Sequence, residues 1–226
     1  MNIYASILAA DHLQLKNELV RAVDAGVDGI HVDVMDGHFV RDICFGPNVA
    51  KGVRAATDLP VDVHLMVDNP QDMVEEYCRL GADQITVHYE PERDIAALAE
   101  QVHRLGKRFC LALSLEVPAG AIRDLLDQVD AVLIIAVRVG IGGQTFNDLA
   151  LAKAAEVYRM AKAAHREMEI LVDGGVNSDN IGALRACGVT TAIVGTALFK
   201  DPNMKIALAR LRAASKAAQT ERTVNF

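Results

Sequence analysis

Three times in this chain a glycine closes a helix-like segment and an apolar run follows at once: Ala25-Gly26-Val27-Asp28, Leu80-Gly81-Ala82-Asp83 and Cys187-Gly188-Val189-Thr190. A glycine just past a helix takes the left-handed backbone that ends it. Each is followed by a short stretch rich in Val, Ile and Thr, so the repeated unit is helix, tight turn, buried strand. Read throughout, this pattern predicts strands near 3–8, 29–35, 61–66, 84–88, 109–113, 131–137, 169–172 and 191–194. Helices are expected near 12–25, 47–57, 70–80, 94–105, 118–128, 148–164, 178–187 and 202–217. Near-continuous apolar strands fit a parallel sheet covered on both faces. Strict alternation, short connections and no break between halves predict one (β/α)8 barrel over residues 1–226, with a polar, loosely ordered tail near 215–226. The rival, a doubly wound open sheet, lacks its early G-x-G-x-x-G.

The totals narrow the function classes. A formal net charge of −7 with no compensating basic stripe argues against nucleic-acid binding. No apolar run approaches the roughly 18 residues of a membrane span, and Met1-Asn2-Ile3-Tyr4 does not read as a signal peptide. Cys44, Cys78, Cys110 and Cys187 are scattered without a CxxC spacing, as in a reduced cytoplasmic protein. A soluble cytoplasmic protein is expected.

Against this background the stretch His31-Val32-Asp33-Val34-Met35-Asp36-Gly37-His38-Phe39 stands out. Alternate residues of a strand share a face, so His31, Asp33 and Met35 point one way, and an imidazole, a carboxylate and a thioether make poor packing material. Val61-Asp62-Val63-His64-Leu65-Met66 and Ile170-Leu171-Val172-Asp173 complete the set. Ser6, His31 to Asp36, His64, His88 and Asp173 all fall near strand C-termini, the functional rim of such a barrel. His31, Asp33, His64 and Asp173 form a shell suited to one divalent ion, Zn²⁺ or Fe²⁺ first, Mn²⁺ or Co²⁺ next. A metal in a structural role, or a His–Asp network without metal, is the competing reading. Met35 and Met66 could floor a pocket or serve the core. Asp36 and His38 are assigned no chemistry.

A second constellation lies in three glycine turns: Gly140-Ile141-Gly142-Gly143-Gln144, Asp173-Gly174-Gly175 and Gly195-Thr196. Glycine lets backbone N–H groups approach a phosphate closely. None of these turns carries Lys or Arg, so binding there would rest on dipoles.

Together the His31–Phe39 run, Asp62 to Met66, Val172-Asp173-Gly174-Gly175 and the Gly-Gly-Gln turn resemble ribulose-phosphate 3-epimerases, over about residues 3 to 210. The resemblance implies that His31, Asp33, His64 and Asp173 bind the metal and that Asp33 and Asp173 are the acid/base pair. It further implies that Ser6 contacts substrate and that Gly140 through Gly143, Gly174, Gly175, Gly195 and Thr196 hold the phosphate. Self-association into a homo-oligomer is an expectation of the same kind. The chain departs from the family pattern in three places: Arg41-Asp42, Ser114-Leu115-Glu116-Val117-Pro118, and the run Ile135 to Gln144, where a pocket methionine is lost and Arg138 and Val139 stand in place of Asn and Pro. These read as rewritten pocket lips, with Arg138 placed to meet a more anionic substrate tail or simply solvated.

The function expected is metal-dependent C3 epimerisation of a ketose phosphate, by default D-ribulose 5-phosphate and D-xylulose 5-phosphate. Alternatives are the same chemistry on a hexulose 6-phosphate such as D-allulose 6-phosphate, or a non-catalytic sugar-phosphate binder. A decarboxylase on a similar barrel would need an Asp-Lys arrangement that is not visible here.

Overall fold

The computed structural model describes residues 1–223, with side chains as far as Ala217. Eight parallel strands form the wall: β1 (Asn2–Ser6), β2 (Gly29–Asp36), β4 (Val61–Met66), β5 (Gln84–His88), β6 (Arg108–Leu113), β7 (Ala131–Ile135), β8 (Glu169–Asp173) and β9 (Thr191–Val194). A two-residue strand, β3 (Ile43–Cys44), adds antiparallel to the end of β2. Pairing of β1 with both β2 and β9 closes the ring. The expected barrel is therefore observed.

The helices are α1 (Leu15–Ala25), α2 (Pro47–Ala56), α3 (Val74–Arg79), α4 (Ile95–Arg104), α5 (Leu149–Ala163), α6 (Ile181–Ala186), the short α7 (Thr196–Phe199) and α8 (Met204–Thr223). Three of the sequence expectations differ here. Residues 118–128 were expected as a helix but form a 3₁₀ segment, Ala119–Leu125, in keeping with Gly120 inside a short run. The tail expected from Ser215 is instead helical through Thr223, and Ser215 is buried, donating to Met1 Sδ. Residues 224–226 of that expected tail lie outside the described residues. The segment β3 was not anticipated; two residues with an exposed Ile43 carry no periodic signal.

The glycine turns do as their position demands: Gly26, Gly81 and Gly188 sit at φ of 93°, 105° and 95°. The residue two places on has a second use. The Asp28 carboxylate accepts the backbone N–H of Ile3, Asp83 that of Val61, and the Thr190 hydroxyl that of Ile170. Asp130 does the same for Phe109. Each polar side chain thus caps the first strand of a βαβ unit from the base of the second, supplying a bond that backbone pairing leaves unmade.

Alternation along the strands divides inside from outside. Ile30, Val32 and Val34, with Val61, Val63 and Leu65, pack outward into the large core beneath the helices. Inside the ring, Tyr4, Cys110, Ala112, Leu133, Ile135, Leu171 and Ile193 form an apolar cluster. The facing side of the interior, on β2, β4 and β5, is polar: His31, Asp33, Asp62, His64, Thr86 and His88 are all buried. That asymmetry locates the site.

Candidate active site

Asp33 is the hub. Its Oδ2 accepts the Ser6 hydroxyl at 2.9 Å, and its Oδ1 lies 3.1 Å from His31 Nε2 and 3.2 Å from His64 Nδ1. Behind His31, Nδ1 sits 2.8 Å from Asp62 Oδ2, and Asp62 Oδ1 accepts the Thr86 hydroxyl at 2.7 Å. Behind His64, Nε2 sits 2.9 Å from His88 Nε2. Each imidazole therefore has one nitrogen held from the rear and the other aimed at Asp33.

Ligand atoms of His31, Asp33, His64 and Asp173 all lie within 4.8 Å of one another. The electrostatics are strongly split. Burial alone would raise the Asp33 carboxyl, but His31 and His64 outweigh it and hold Asp33 far below the ordinary carboxylate range. Burial, followed by the negative charge of Asp33, pushes Asp173 up to about 6. For His31, burial is outweighed by Asp33 and Asp62, which keep its pKa well above the usual imidazole value. Burial, with help from His64 and Arg93, drives His88 well below it. Two carboxylates that raise each other's cost of ionisation beside two converging imidazole nitrogens are a donor set that a divalent cation relieves. The residues present fit a metal.

Asp33, His64 and Asp173 of this cluster form the floor of a cavity of about 910 Å³ at the C-terminal end of the barrel. Ser6, Asp33, Met35, His64, Met66 and Asp173 line it, as do Gly140, Ile141, Gly142, Gly143, Gly174, Gly175, Gly195 and Thr196. Of the expected site residues only His31 does not face the cavity, being sealed behind Asp33. Backbone crowding fixes the turn after β8: a Cβ on Gly175, at φ 67°, would lie 2.4 Å from Phe146 N.

Sequence reasoning assigned no role to Asp62 and stopped short of giving His88 one. The signal was present, since Asp62-x-His64 and Gln84-x-Thr86-x-His88 carry the same two-residue period as His31-x-Asp33. It also overlooked Lys200, which lines the cavity one turn beyond Thr196, so dipoles are not the sole positive element there. The three rewritten segments are not equivalent. Residues 137–139 line the cavity, whereas Arg41-Asp42 and 114–118 do not, correcting the expectation that all three form its lips. The 114–118 segment is tied to α5 instead, with Lys153 Nζ donating to the carbonyls of Ser114 at 2.6 Å, Leu115 at 2.9 Å and Val117.

The profile of the ribulose-phosphate 3 epimerase family matches residues 2–199. This chain belongs to that family. Ribulose-phosphate 3-epimerase of Bacillus subtilis (strain 168) is 35% identical over 213 residues, covering 94% of this chain and 98% of that one. The chloroplastic ribulose-5-phosphate-3-epimerase of Arabidopsis thaliana is 38% identical over 216 residues, 94% of this chain and 76% of that protein. Among solved structures, a mutant tryptophan synthase α-subunit from Pyrococcus furiosus superposes with a TM-score of 0.67 over 96% of both chains at 16% identity. That likeness is one of fold alone. As a member of the ribulose-phosphate 3-epimerase family the chain is an isomerase of the epimerase type. No helix among the described residues is long and apolar enough to cross a membrane.

Proposed function

We propose that this single-domain chain is a metal-dependent ketose-phosphate 3-epimerase interconverting D-ribulose 5-phosphate and D-xylulose 5-phosphate. The observation that carries this reading is the convergence of His31, Asp33, His64 and Asp173 within 4.8 Å at the base of a cavity that the last three line and three glycine turns rim. Inverting a carbon beside a ketone requires removal of its proton and return of one to the opposite face. Asp33 on β2 and Asp173 on β8 are separated around the ring by β1 and β9, which sets two carboxyls on different sides of a bound sugar. Either serves as base while the other serves as acid, and the roles exchange with direction. His31, Asp33, His64 and Asp173 would hold a divalent ion, with Zn²⁺ or Fe²⁺ preferred and Mn²⁺ or Co²⁺ admissible, which would supply positive charge against a developing oxygen anion. Ser6 holds Asp33 Oδ2 and faces the cavity, Met35 and Met66 floor it without exchangeable protons, and the backbone of residues 140–143, 174–175 and 195–196 receives the phosphate.

Arg138 and Val139 on the cavity wall favour a second reading, the same reaction on a hexulose 6-phosphate such as D-allulose 6-phosphate. The free thiols of Cys44, Cys78 and Cys110 support a reduced cytoplasmic setting, and a homo-oligomer is part of the same reading. The test is solvent-deuterium wash-in at C3 with pentulose and hexulose phosphates. Exchange is expected with the pentulose, lost on chelation and restored by a divalent ion. Asp33→Asn and Asp173→Asn should each reduce it at least about 100-fold. Undiminished exchange in both variants overturns the two-carboxyl scheme, undiminished exchange after chelation overturns the metal, and a hexulose preference that Arg138→Asn removes selects the second reading.

A further inference from the structure

Two imidazoles face the cation site, and they are held from behind by different groups. His31 has the Asp62 carboxylate, backed by Thr86, whereas His64 has a third imidazole, His88, with the two Nε2 atoms 2.9 Å apart. His88 does not line the cavity and meets it only through His64, which does. It is nonetheless held on every side. Its ring lies nearly parallel to that of His64, with centroids 5.0 Å apart and planes at 23°, and Phe39 covers it at 5.1 Å. Arg93 sits 5.8 Å above the Phe39 ring and donates through Nη1 to the His88 carbonyl at 2.9 Å. This is more fixing than a filler residue at the end of a strand needs.

We propose that His88 is a positioning residue, whose Nε2 grips His64 Nε2 and so keeps His64 Nδ1 as the nitrogen that faces Asp33 and the metal. An imidazole left with only its inward contact can turn over about its Cβ–Cγ bond and offer a carbon edge where Nδ1 stood. A partner on the far nitrogen removes that freedom. The partner has to work in two directions: beside Asp33 Oδ1 alone, Nδ1 of His64 is the donor and Nε2 an acceptor, while coordination through Nδ1 moves the ring hydrogen to Nε2 and makes it the donor. A carboxylate could only accept, so it would fit the second case alone. His88 carries both a donor and an acceptor and can keep the bond in either. The inference rests on the metal reading above.

The test compares the wild-type protein, His88→Phe and His88→Gln, each stripped of metal and titrated with Zn²⁺ against a competing chelator and with Co²⁺ by visible absorption. Phe keeps the ring stack and loses the bond, and Gln restores a donor and an acceptor. We expect His88→Phe to bind Zn²⁺ about 10–100-fold more weakly and to shift the Co²⁺ band, with His88→Gln closer to wild type in both. If His88→Phe does not fold by circular dichroism, His88→Leu takes its place with the same readouts. Wild-type affinity and an unshifted band in the apolar variant overturn the inference, as does equal loss in the apolar and Gln variants, which would mark a packing role. Absence of Zn²⁺ binding by the wild-type protein overturns the metal reading itself, and this inference with it.

Discussion

Asp33 and Asp173 share one cavity in opposite electrostatic surroundings, and the difference has a measurable consequence in the metal-free protein. Asp173 is pushed up to about 6, above the usual carboxyl value near 4. The folded state then keeps a proton on Asp173 over a range where the unfolded chain has released it. The stability this group contributes is full below about pH 4 and is lost as pH rises to about 6. His88, held well below its normal value, acts in the other direction, since folding keeps it neutral while the unfolded chain takes up a proton as pH falls through about 6.5. Comparison with Asp173→Asn cancels the His88 part. Urea midpoints of metal-free wild type should therefore fall relative to Asp173→Asn between pH 4 and 6 and run parallel above about 7. Parallel curves throughout would show that Asp173 titrates normally. At this scale the sequence was informative for groups with distinctive chemistry on one strand face, such as His31 and Asp33. It was silent on Lys200, an exposed residue whose place at the cavity depends on where the ring sets the short helix that begins at Thr196.

The strand-capping side chains belong to the elements rather than to the chemistry. Asp83 accepts the N–H of Val61 at 2.9 Å and pairs with Arg54 at 2.9 Å, at the end of the barrel away from the cavity. Asp28 pairs likewise with Arg212, and Asp130 with His103. Asp83→Ala removes an acceptor for a strand-end N–H and should cost about 1 kcal/mol of stability, with C3 proton exchange unchanged. A chemical-denaturation curve beside an exchange assay decides it, and lost exchange in a folded protein would place Asp83 in the site's support. The glycine of this phrase was legible from sequence because its backbone requirement is local. The aspartate's partner lies 22 residues away, and only the closed pairing of β4 with β5 brings the two together. The strands at 61–66 and 84–88 matched their expected limits because outward Val61, Val63, Leu65, Ile85 and Val87 recur at every second residue. The 3₁₀ segment at Ala119–Leu125 did not, since a single turn's hydrogen bonding is decided by contacts its own residues do not announce.

On the scale of the whole molecule, the four candidate ligands come from β2, β4 and β8, so a bound cation ties together strands from separate parts of the ring. The ring itself closes through β1, which pairs with both β2 and β9. The unfolded chain leaves His31, Asp33, His64 and Asp173 scattered over more than a hundred residues and has no comparable site. Binding to the folded state alone stabilises it by about 2.7 kcal/mol when free ion is 100 times its Kd. For a chain of this size each kcal/mol raises Tm by about 2–4 °C, which gives an increase of roughly 5–10 °C. Melts followed at far-UV and near-UV wavelengths should move together as Zn²⁺ is added if, as proposed, the shared wall makes the chain one domain. His64→Ala should abolish the increase, while Asp83→Ala, at the opposite end, should start lower and keep it in full. Two separable transitions would overturn the single domain. An increase that survives His64→Ala would mean that the ion stabilises the barrel from somewhere other than its cavity floor.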